Sequence, residues 1–182
     1  VSTPPPRRRP GAGTEAAVAS PALRAFILAA GRGERMRPLT DTTPKPLLRA
    51  GGKPLIGWQL ERLAAAGIRD IVVNHSHLGA RLEAEVGDGS GWGVRIAWSR
   101  EATALETAGG IANALPLLGE RPFVVVSGDI YTDFDFARLE DVAARIQEDP
   151  GRRAAHFVLV DNPPFHPAGD MGLADGRVRR DG

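Results

Sequence analysis

Hydrophobic residues follow two alternating patterns along this chain from residue 24 onward. Short runs of consecutive apolar residues, typical of buried strands, alternate with stretches in which apolar residues recur every three to four positions, as on one face of a helix. Pro54 suits a first helical turn, and Gly67 suits a helix end. The pattern predicts strands at 25–30, 70–74, 94–98, 123–126 and 154–160, and helices at 55–66, 78–86, 107–115 and 136–147.

Strands that alternate with helices predict an α/β protein with a mostly parallel central sheet covered by helices on both faces, a Rossmann-like three-layer architecture. Open sheets of this kind bind ligands beyond the carboxyl ends of their strands. Polar groups follow three predicted strands at that point: a glycine loop, Asn74 with His75, and Asp129. We therefore expect a binding site at this edge of the sheet.

Composition narrows the possible partners of the chain. Its 182 residues suit one domain, and its formal net charge is +1, with basic and acidic residues interleaved. We therefore expect neither a nucleic acid nor a membrane partner, and no apolar run approaches the roughly 20 residues of a membrane span. The absence of cysteine excludes disulfides and is compatible with a cytoplasmic location. The oligomeric state is not specified by the sequence.

Residues 1–22 differ from the remainder of the chain. They contain three consecutive prolines, three consecutive arginines and a stretch rich in Gly, Ala and Ser, without an apolar period. Such a composition buries too little apolar surface to offset the entropy of ordering. We expect a disordered leader at 1–22 and a folded domain at 23–182; a basic tail that contacts an anionic partner is the alternative.

The loop after the first predicted strand carries the clearest chemistry. Gly31 and Gly33 bring bare backbone amides together, three arginines follow, and Lys45 lies between two prolines. Amides and fixed cations suit a polyphosphate. The loop is not a Walker A motif, because Glu34 follows Gly33, and the prolines at 38, 44 and 46 prevent the helix of a dinucleotide fingerprint. The alternative is an ordinary tight turn.

Asp129 follows a predicted strand and a Ser-Gly step, so its carboxylate should emerge at the same edge. Magnesium prefers carboxylate and phosphate oxygens, often with only one or two protein ligands. A turn or helix-cap aspartate is the alternative, and Asp133 and Asp135 lie too near the next helix to choose between cap and ligand. Of the histidines, His75 and His77 follow a strand end, where either a pocket or a structural role is open.

Residues 28–46, LAAGRGERMRPLTDTTPKP, resemble the signature of the sugar-1-phosphate nucleotidylyltransferases. Segments 105–111, 126–129 and 160–173 are similar to those of the family members that transfer a uridylyl group to N-acetylmuramate 1-phosphate in bacterial cell-wall recycling. The resemblance implies a nucleotidyltransferase fold, Mg²⁺ as cofactor, and UTP and a sugar 1-phosphate as substrates. It also implies catalysis by positioning and charge neutralisation rather than by acid–base chemistry. Transfer to mannose or glucose 1-phosphate is the alternative within the family.

The resemblance also implies residue roles. Arg35 and Lys45 would be catalytic, Asp129 would hold the metal, and Gly109, Asp161 and Asn162 would contact the sugar. The 161–162 step can equally form a simple Asx-Pro turn, and Thr107 can equally be a helix N-cap. The nucleotide would be bound by Ala30, Gly31, Gly33, Glu34, Arg35, Lys45, Asn74, Glu106, Thr107 and Ser127.

One departure from the family pattern concerns the metal. The family supplies a second magnesium-binding aspartate after the sugar-contact segment, and Asp170, Asp175 and Asp181 come too early in the chain to match it. We therefore expect a chain whose C-terminal part is truncated and whose metal site is incomplete. A nucleotide-binding module without activity is the corresponding alternative. A metal-dependent glycosyltransferase fits less well, because the only Asp-x-Asp pair, Asp133 and Asp135, lies beyond the strand end.

Overall fold

The computed structural model describes residues 23–151 and 154–179, so the expected leader at 1–22 lies outside the described residues. Eight strands and four α-helices follow one another along the described chain. The strands are β1 (Arg24–Leu28), β2 (Arg49–Ala50), β3 (Lys53–Pro54), β4 (Asp70–His75), β5 (Arg95–Arg100), β6 (Phe123–Ser127), β7 (Gly172–Ala174) and β8 (Arg177–Arg179), and the helices are α1 (Leu55–Ala65), α2 (Gly79–Val86), α3 (Glu106–Leu118) and α4 (Leu139–Glu148).

The central sheet is parallel and has the strand order β5-β4-β1-β6. Ile27 of β1 lies beside Val73 on one side and Val126 on the other, so the three strands end nearly level. Two antiparallel pairs, β2-β3 and β7-β8, stand apart from this sheet. The predicted parallel α/β sheet is confirmed, and its level strand ends bring the connections after β1, β4 and β6 to one edge.

Both faces of the sheet are buried at β1, which explains the uninterrupted apolar run of that strand. Ala25 and Ile27 pack in a cluster with Leu60 of α1 on one face. Phe26, between them in β1, packs in a second cluster with Leu118 of α3 on the opposite face. The three predicted layers are therefore present.

The predicted helices are present with shifted ends. The helix predicted at 107–115 extends over Glu106–Leu118, and the one predicted at 136–147 begins as a short 3-10 turn, Phe136–Arg138, before α4. Asp135 caps that turn, because its Oδ1 accepts a hydrogen bond of 3.1 Å from the backbone N–H of Ala137. The structure thus assigns Asp135 a capping role. No helix in the described ranges is long and apolar enough to cross a membrane.

The strand predicted at 154–160 is wrong. The segment has no regular secondary structure and joins no sheet of the described residues, and its apolar side chains are exposed, Val160 to 85%. An apolar run predicts burial only where a neighbouring strand and a facing layer exist to receive it, and a local pattern does not contain that information. Near the end of the described residues, β7 and β8 form an antiparallel pair.

Candidate functional site

A cleft of about 490 Å³ lies at the carboxyl edge of the central sheet. Its walls come from the connections after β1, β4 and β6 and from the segment that leads into α3. Because parallel strands end at the same edge, residues far apart in the chain meet here. The cleft is lined by Leu28, Ala29, Ala30, Gly31, Arg32, Gly33, Glu34, Lys45, Pro46, Asn74, Ala104, Glu106, Thr107, Ser127 and Asp129.

The glycine loop forms one wall of the cleft, and its two glycines serve different purposes. Gly33 has φ +66°, and a Cβ there would lie 2.9 Å from Thr40 Cγ2 and 3.2 Å from Lys45 Cβ. The buried Thr40 hydroxyl donates a hydrogen bond of 2.9 Å to the Gly33 carbonyl oxygen, which fastens the loop. A Cβ at Gly31 would meet no described atom within 4 Å. Gly33 is therefore required by the fold of the loop, whereas Gly31 borders open cleft.

Lys45 and Asp129, which we call the cleft pair, form an ion pair across 84 residues of sequence. Lys45 begins a 3-10 turn, Lys45–Leu47, in which Pro46 is buried, so its backbone is fixed. The backbone N–H of Gly128 donates a hydrogen bond of 2.9 Å to the Leu28 carbonyl oxygen, which holds Asp129 against the end of β1. The two side chains are 23% and 29% exposed. The cleft thus presents one fixed cation and one carboxylate that neutralise each other.

Asn74 lies behind the glycine loop and is 2% exposed. Its Oδ1 accepts a hydrogen bond of 2.7 Å from the backbone N–H of Ala29, and its Nδ2 donates one of 2.8 Å to Glu101 Oε1. The other carboxylate oxygen of Glu101 accepts a hydrogen bond of 3.0 Å from the backbone N–H of Leu105. Asn74 therefore borders the cleft with both ends of its amide engaged by protein.

The entry of α3 forms the opposite wall of the cleft. Glu106, the first residue of the helix, has φ +59°, a left-handed conformation that costs a non-glycine residue about 1–2 kcal/mol. Its exposed side chain makes no hydrogen bond or ion pair with residues 23–151 or 154–179. Leu105 holds the N-cap position and no side chain caps the helix, so Thr107 is not an N-cap. Glu106 and Thr107 are available to a ligand.

Some of the predicted site residues do not line the cleft. Arg35 is exposed in the 3-10 turn Glu34–Met36, and Gly109 is half-buried on α3. Asp161 and Asn162 are exposed, and Asn162 Nδ2 donates a hydrogen bond of 3.0 Å to the Pro167 carbonyl oxygen. Asn162 is thus engaged by the segment that follows it, and the Asx-Pro turn predicted at 161–162 is not seen.

The structure adds residues that the predicted site lacked. Leu28, Ala29, Arg32, Pro46 and Ala104 line the cleft. Each of them lies within two residues of a predicted site residue in the sequence, and this proximity is the feature that could have identified them. Glu101, behind the cleft, follows directly on β5, and its position at a strand end was the available signal for it.

His75 belongs to a second ionic cluster, the α2 cluster of His75, Glu83 and Arg100. His75 is buried and its Nε2 lies 2.5 Å from Glu83 Oε1, while Arg100 donates to both Glu83 oxygens at 2.7 and 2.6 Å. The Arg100 guanidinium lowers the pKa of Glu83 below its ordinary value, with a further contribution from His75, although partial burial opposes the shift. None of the three residues lines the cleft, and His77 is exposed, so the histidines have no place at this site.

The acidic residues that line the cleft determine which kind of metal ion could bind there. Over the described ranges, no group of three or more His, Cys, Asp or Glu side chains could hold a metal ion by itself. Asp129 lines the cleft beside Lys45, and its Oδ1 accepts no hydrogen bond from a described residue. Such a donor set fits a magnesium ion that arrives with phosphate oxygens as its other ligands.

A family model described as "Nucleotidyl transferase" matches residues 24–167 of the chain. Among curated proteins, the chain is 58% identical over 159 residues to N-acetylmuramate alpha-1-phosphate uridylyltransferase of Neisseria meningitidis, covering 86% of this chain and 68% of that protein. It is 42% identical over 117 residues to mannose-1-phosphate guanylyltransferase of Mycobacterium tuberculosis, covering 64% of this chain and 33% of that protein.

A solved structure of a protein assigned as a glucose-1-phosphate thymidylyltransferase, from Bacillus anthracis, superposes with a TM-score of 0.62 at 28% identity. The superposition covers 68% of this chain and 51% of the solved one. The chain thus spans between a third and two thirds of the length of the proteins it matches. The family match at residues 24–167 includes the four strands of the central sheet and every residue that lines the cleft.

Proposed function

Because the chain belongs to the nucleotidyl transferase family, we propose that it transfers a uridylyl group from UTP to a sugar 1-phosphate, with release of pyrophosphate. The proposed acceptor is N-acetylmuramate 1-phosphate, in cell-wall recycling. The observation that carries the proposal is the cleft pair, Lys45 and Asp129, set beside a glycine loop whose open side faces the same cleft.

The two walls of the cleft suit the two parts of a nucleotide. The glycine loop and Lys45 offer amides and a cation to the triphosphate, and Gly31 leaves room for a phosphate to approach the backbone. Glu106 and Thr107 on the opposite wall offer hydrogen-bonding groups without a positive charge, which suits a nucleoside. The volume of the cleft, about 490 Å³, is within the range of small-ligand pockets.

Asp129 would hold magnesium through a carboxylate oxygen, with nucleotide phosphates completing the ion's shell. When bound, the ion supplies positive charge that offsets the phosphate oxygens. Lys45 and Asp129 neutralise each other in the structure, and we propose that they exchange partners on binding. Lys45 then turns to a phosphate, and Asp129 turns to the ion.

The reaction needs positioning more than acid–base chemistry. An oxygen of the sugar 1-phosphate forms a bond to the α-phosphorus of UTP, and the bond from that phosphorus to the bridging oxygen breaks, releasing pyrophosphate. Two anions must meet, so fixed cations such as Lys45 contribute by neutralising charge in the transition state. Arg35 would assist from the rim if the loop closes over the triphosphate, since it is exposed and adjacent to Glu34 of the cleft wall.

The base and the sugar are proposed from the relatives. The uridylyltransferase match has the higher identity, 58% against 42% for the guanylyltransferase match. Guanylyl transfer to mannose 1-phosphate is the second candidate, favoured by the latter match. The absence of cysteine is compatible with a cytosolic setting, where we propose that the protein acts.

A matrix of nucleoside triphosphates against sugar 1-phosphates, read by pyrophosphate release, tests the proposal. We expect UTP with N-acetylmuramate 1-phosphate to give the highest kcat/KM, and chelation of Mg²⁺ to abolish turnover. Isothermal titration of UTP, run in parallel, separates binding from catalysis. Faster release from GTP with mannose 1-phosphate would favour the second candidate, and tight UTP binding without turnover would favour a nucleotide-binding module.

A further inference from the structure

We infer that Glu101 is a positioning residue that holds two opposite walls of the cleft in place from behind, and thereby sets the affinity for the nucleotide. The inference rests on the proposed function, because it assigns the residue to nucleotide binding. Glu101 is 7% exposed and does not line the cleft, so it does not itself contact a ligand in the cleft.

The contacts of Glu101 join three segments of the chain. Oε1 receives the Asn74 side-chain amide at 2.8 Å, and Asn74 in turn receives the backbone N–H of Ala29 at 2.7 Å. Oε2 receives the backbone N–H of Leu105 at 3.0 Å. Ala29 opens the glycine loop and Leu105 precedes Glu106. One carboxylate therefore links the phosphate wall to the nucleoside wall.

The hydrogen bonds of the link have fixed donor and acceptor directions. Both side-chain oxygens of residue 101 must accept, and only a carboxylate allows this. Glu101 accepts two hydrogen bonds, one on each oxygen, and this fixes the Asn74 amide with its oxygen toward Ala29. A glutamine at 101 has one accepting oxygen and one donating nitrogen, so it loses either the bond to Asn74 or the bond to Leu105. A buried donor left without a partner destabilises the local arrangement.

Helix α3 packs tightly against the hydrogen bond between Asn74 and Glu101. A Cβ added at Gly110 of α3 would lie 2.7 Å from Asn74 Nδ2 and 2.9 Å from Glu101 Oε1. The backbone N–H of Glu101 also donates a hydrogen bond of 2.9 Å to the His75 carbonyl oxygen, at the end of β4. Helix α3 thus packs directly on the link, and a displaced Glu101 carboxylate displaces the helix entry with it.

The polarity of the link can be reversed without changing its shape, which gives a rescue variant. In Asn74→Asp with Glu101→Gln, an aspartate accepts from the Ala29 N–H and from the glutamine amide, while the glutamine oxygen accepts from the Leu105 N–H. Every hydrogen bond of the link is then satisfied again. Asn74→Asp alone places two carboxylates against each other. Amide exchange at Ala29 and Leu105 should then be faster than in either the native chain or the double variant.

The experiment measures the UTP dissociation constant in the presence of Mg²⁺, the steady-state KM and kcat, and the amide hydrogen exchange of Ala29 and Leu105 without nucleotide. Glu101→Gln should raise the dissociation constant and KM for UTP about tenfold, while kcat at saturating UTP changes by less than about threefold. Exchange should accelerate at both amides. In the double variant, amide exchange at Ala29 and Leu105 should return close to its native rate; UTP affinity is not its readout, because position 74 lines the cleft.

Glu83→Gln is the matched control, because it alters a carboxylate that also joins elements of the fold but lies outside the cleft. It should lower thermal stability without changing KM for UTP. The inference is overturned if Glu101→Gln keeps native affinity, if it only lowers kcat and stability with KM unchanged, or if amide exchange at Ala29 and Leu105 is as fast in the double variant as in Glu101→Gln. If the native chain binds no UTP, the proposed function fails, whereas the exchange measurement still tests the link.

Discussion

The cleft pair and the α2 cluster lie at the same edge of the sheet but are built differently. In the α2 cluster, both oxygens of Glu83 are engaged by His75 and Arg100, and the cluster fastens α2 to the ends of β4 and β5. In the cleft pair, one ammonium meets one carboxylate oxygen, and Asp129 Oδ1 receives nothing from the described residues. A carboxylate whose two oxygens are both engaged by protein stabilises the fold, whereas a carboxylate that faces a cleft with one oxygen unengaged by described residues has capacity left for a ligand.

The largest expected effect comes from breaking the cleft pair. Lys45→Ala and Asp129→Ala should each lower kcat by about 10²–10³-fold, as the loss of a preorganised charge at a reacting phosphate does. The free energy of unfolding should fall by about 1–3 kcal/mol, because the charge that remains is largely buried and loses its partner. Pyrophosphate release and thermal unfolding measure the two quantities.

Lys53→Ala is the matched control for that prediction. Lys53 also forms an ion pair, with Glu61, but it lies outside the cleft. Its loss should leave turnover at the native level. Near-native pyrophosphate release by both cleft-pair variants would remove Lys45 and Asp129 from the proposed mechanism.

The two glycines of the loop provide the second test. Gly31→Ala should fold normally, because the added methyl meets no protein atom and the backbone is not in the left-handed region, but it should weaken UTP binding about tenfold by occupying phosphate space. Gly33→Ala should instead lower the free energy of unfolding by about 1–3 kcal/mol, since φ is +66° and Thr40 is too close. Titration calorimetry and chemical denaturation separate the two. Native affinity in Gly31→Ala would show that the ligand does not approach this amide.

The smallest effect is expected from the α2 cluster and is confined to stability. Because the folded-state pKa of Glu83 is lowered by Arg100 and His75, its contribution to stability is fully present above the ordinary glutamate pKa of 4.5 and is lost as the pH falls through the lowered value. Glu83→Gln should lower the free energy of unfolding by about 1 kcal/mol at pH 7 and flatten the acid limb of the stability profile. Denaturation at several pH values measures this, and an unchanged acid limb would contradict it.

Much of the fold was predictable because the pattern is strong where both faces of a strand are buried. The apolar run that became β1 is buried on two sides by α1 and α3, so local composition and tertiary environment agree. The segment 154–160 is also mostly apolar but pairs with no strand of the described residues, and there the prediction is wrong. Apolar composition alone does not reveal whether a partner strand is present.

The sequence by itself determined the glycine loop, the proline-flanked Lys45 and the polar residues at strand ends, because these features are local in the chain. Only the tertiary structure decided which of them meet. The strand order β5-β4-β1-β6 places β1 between β4 and β6, and this brings Asn74 to the Ala29 amide and Asp129 to Lys45. It also brings Glu101 behind the cleft, where its carboxylate holds both walls. Contacts between residues far apart in the chain depend on that order, which no local pattern encodes.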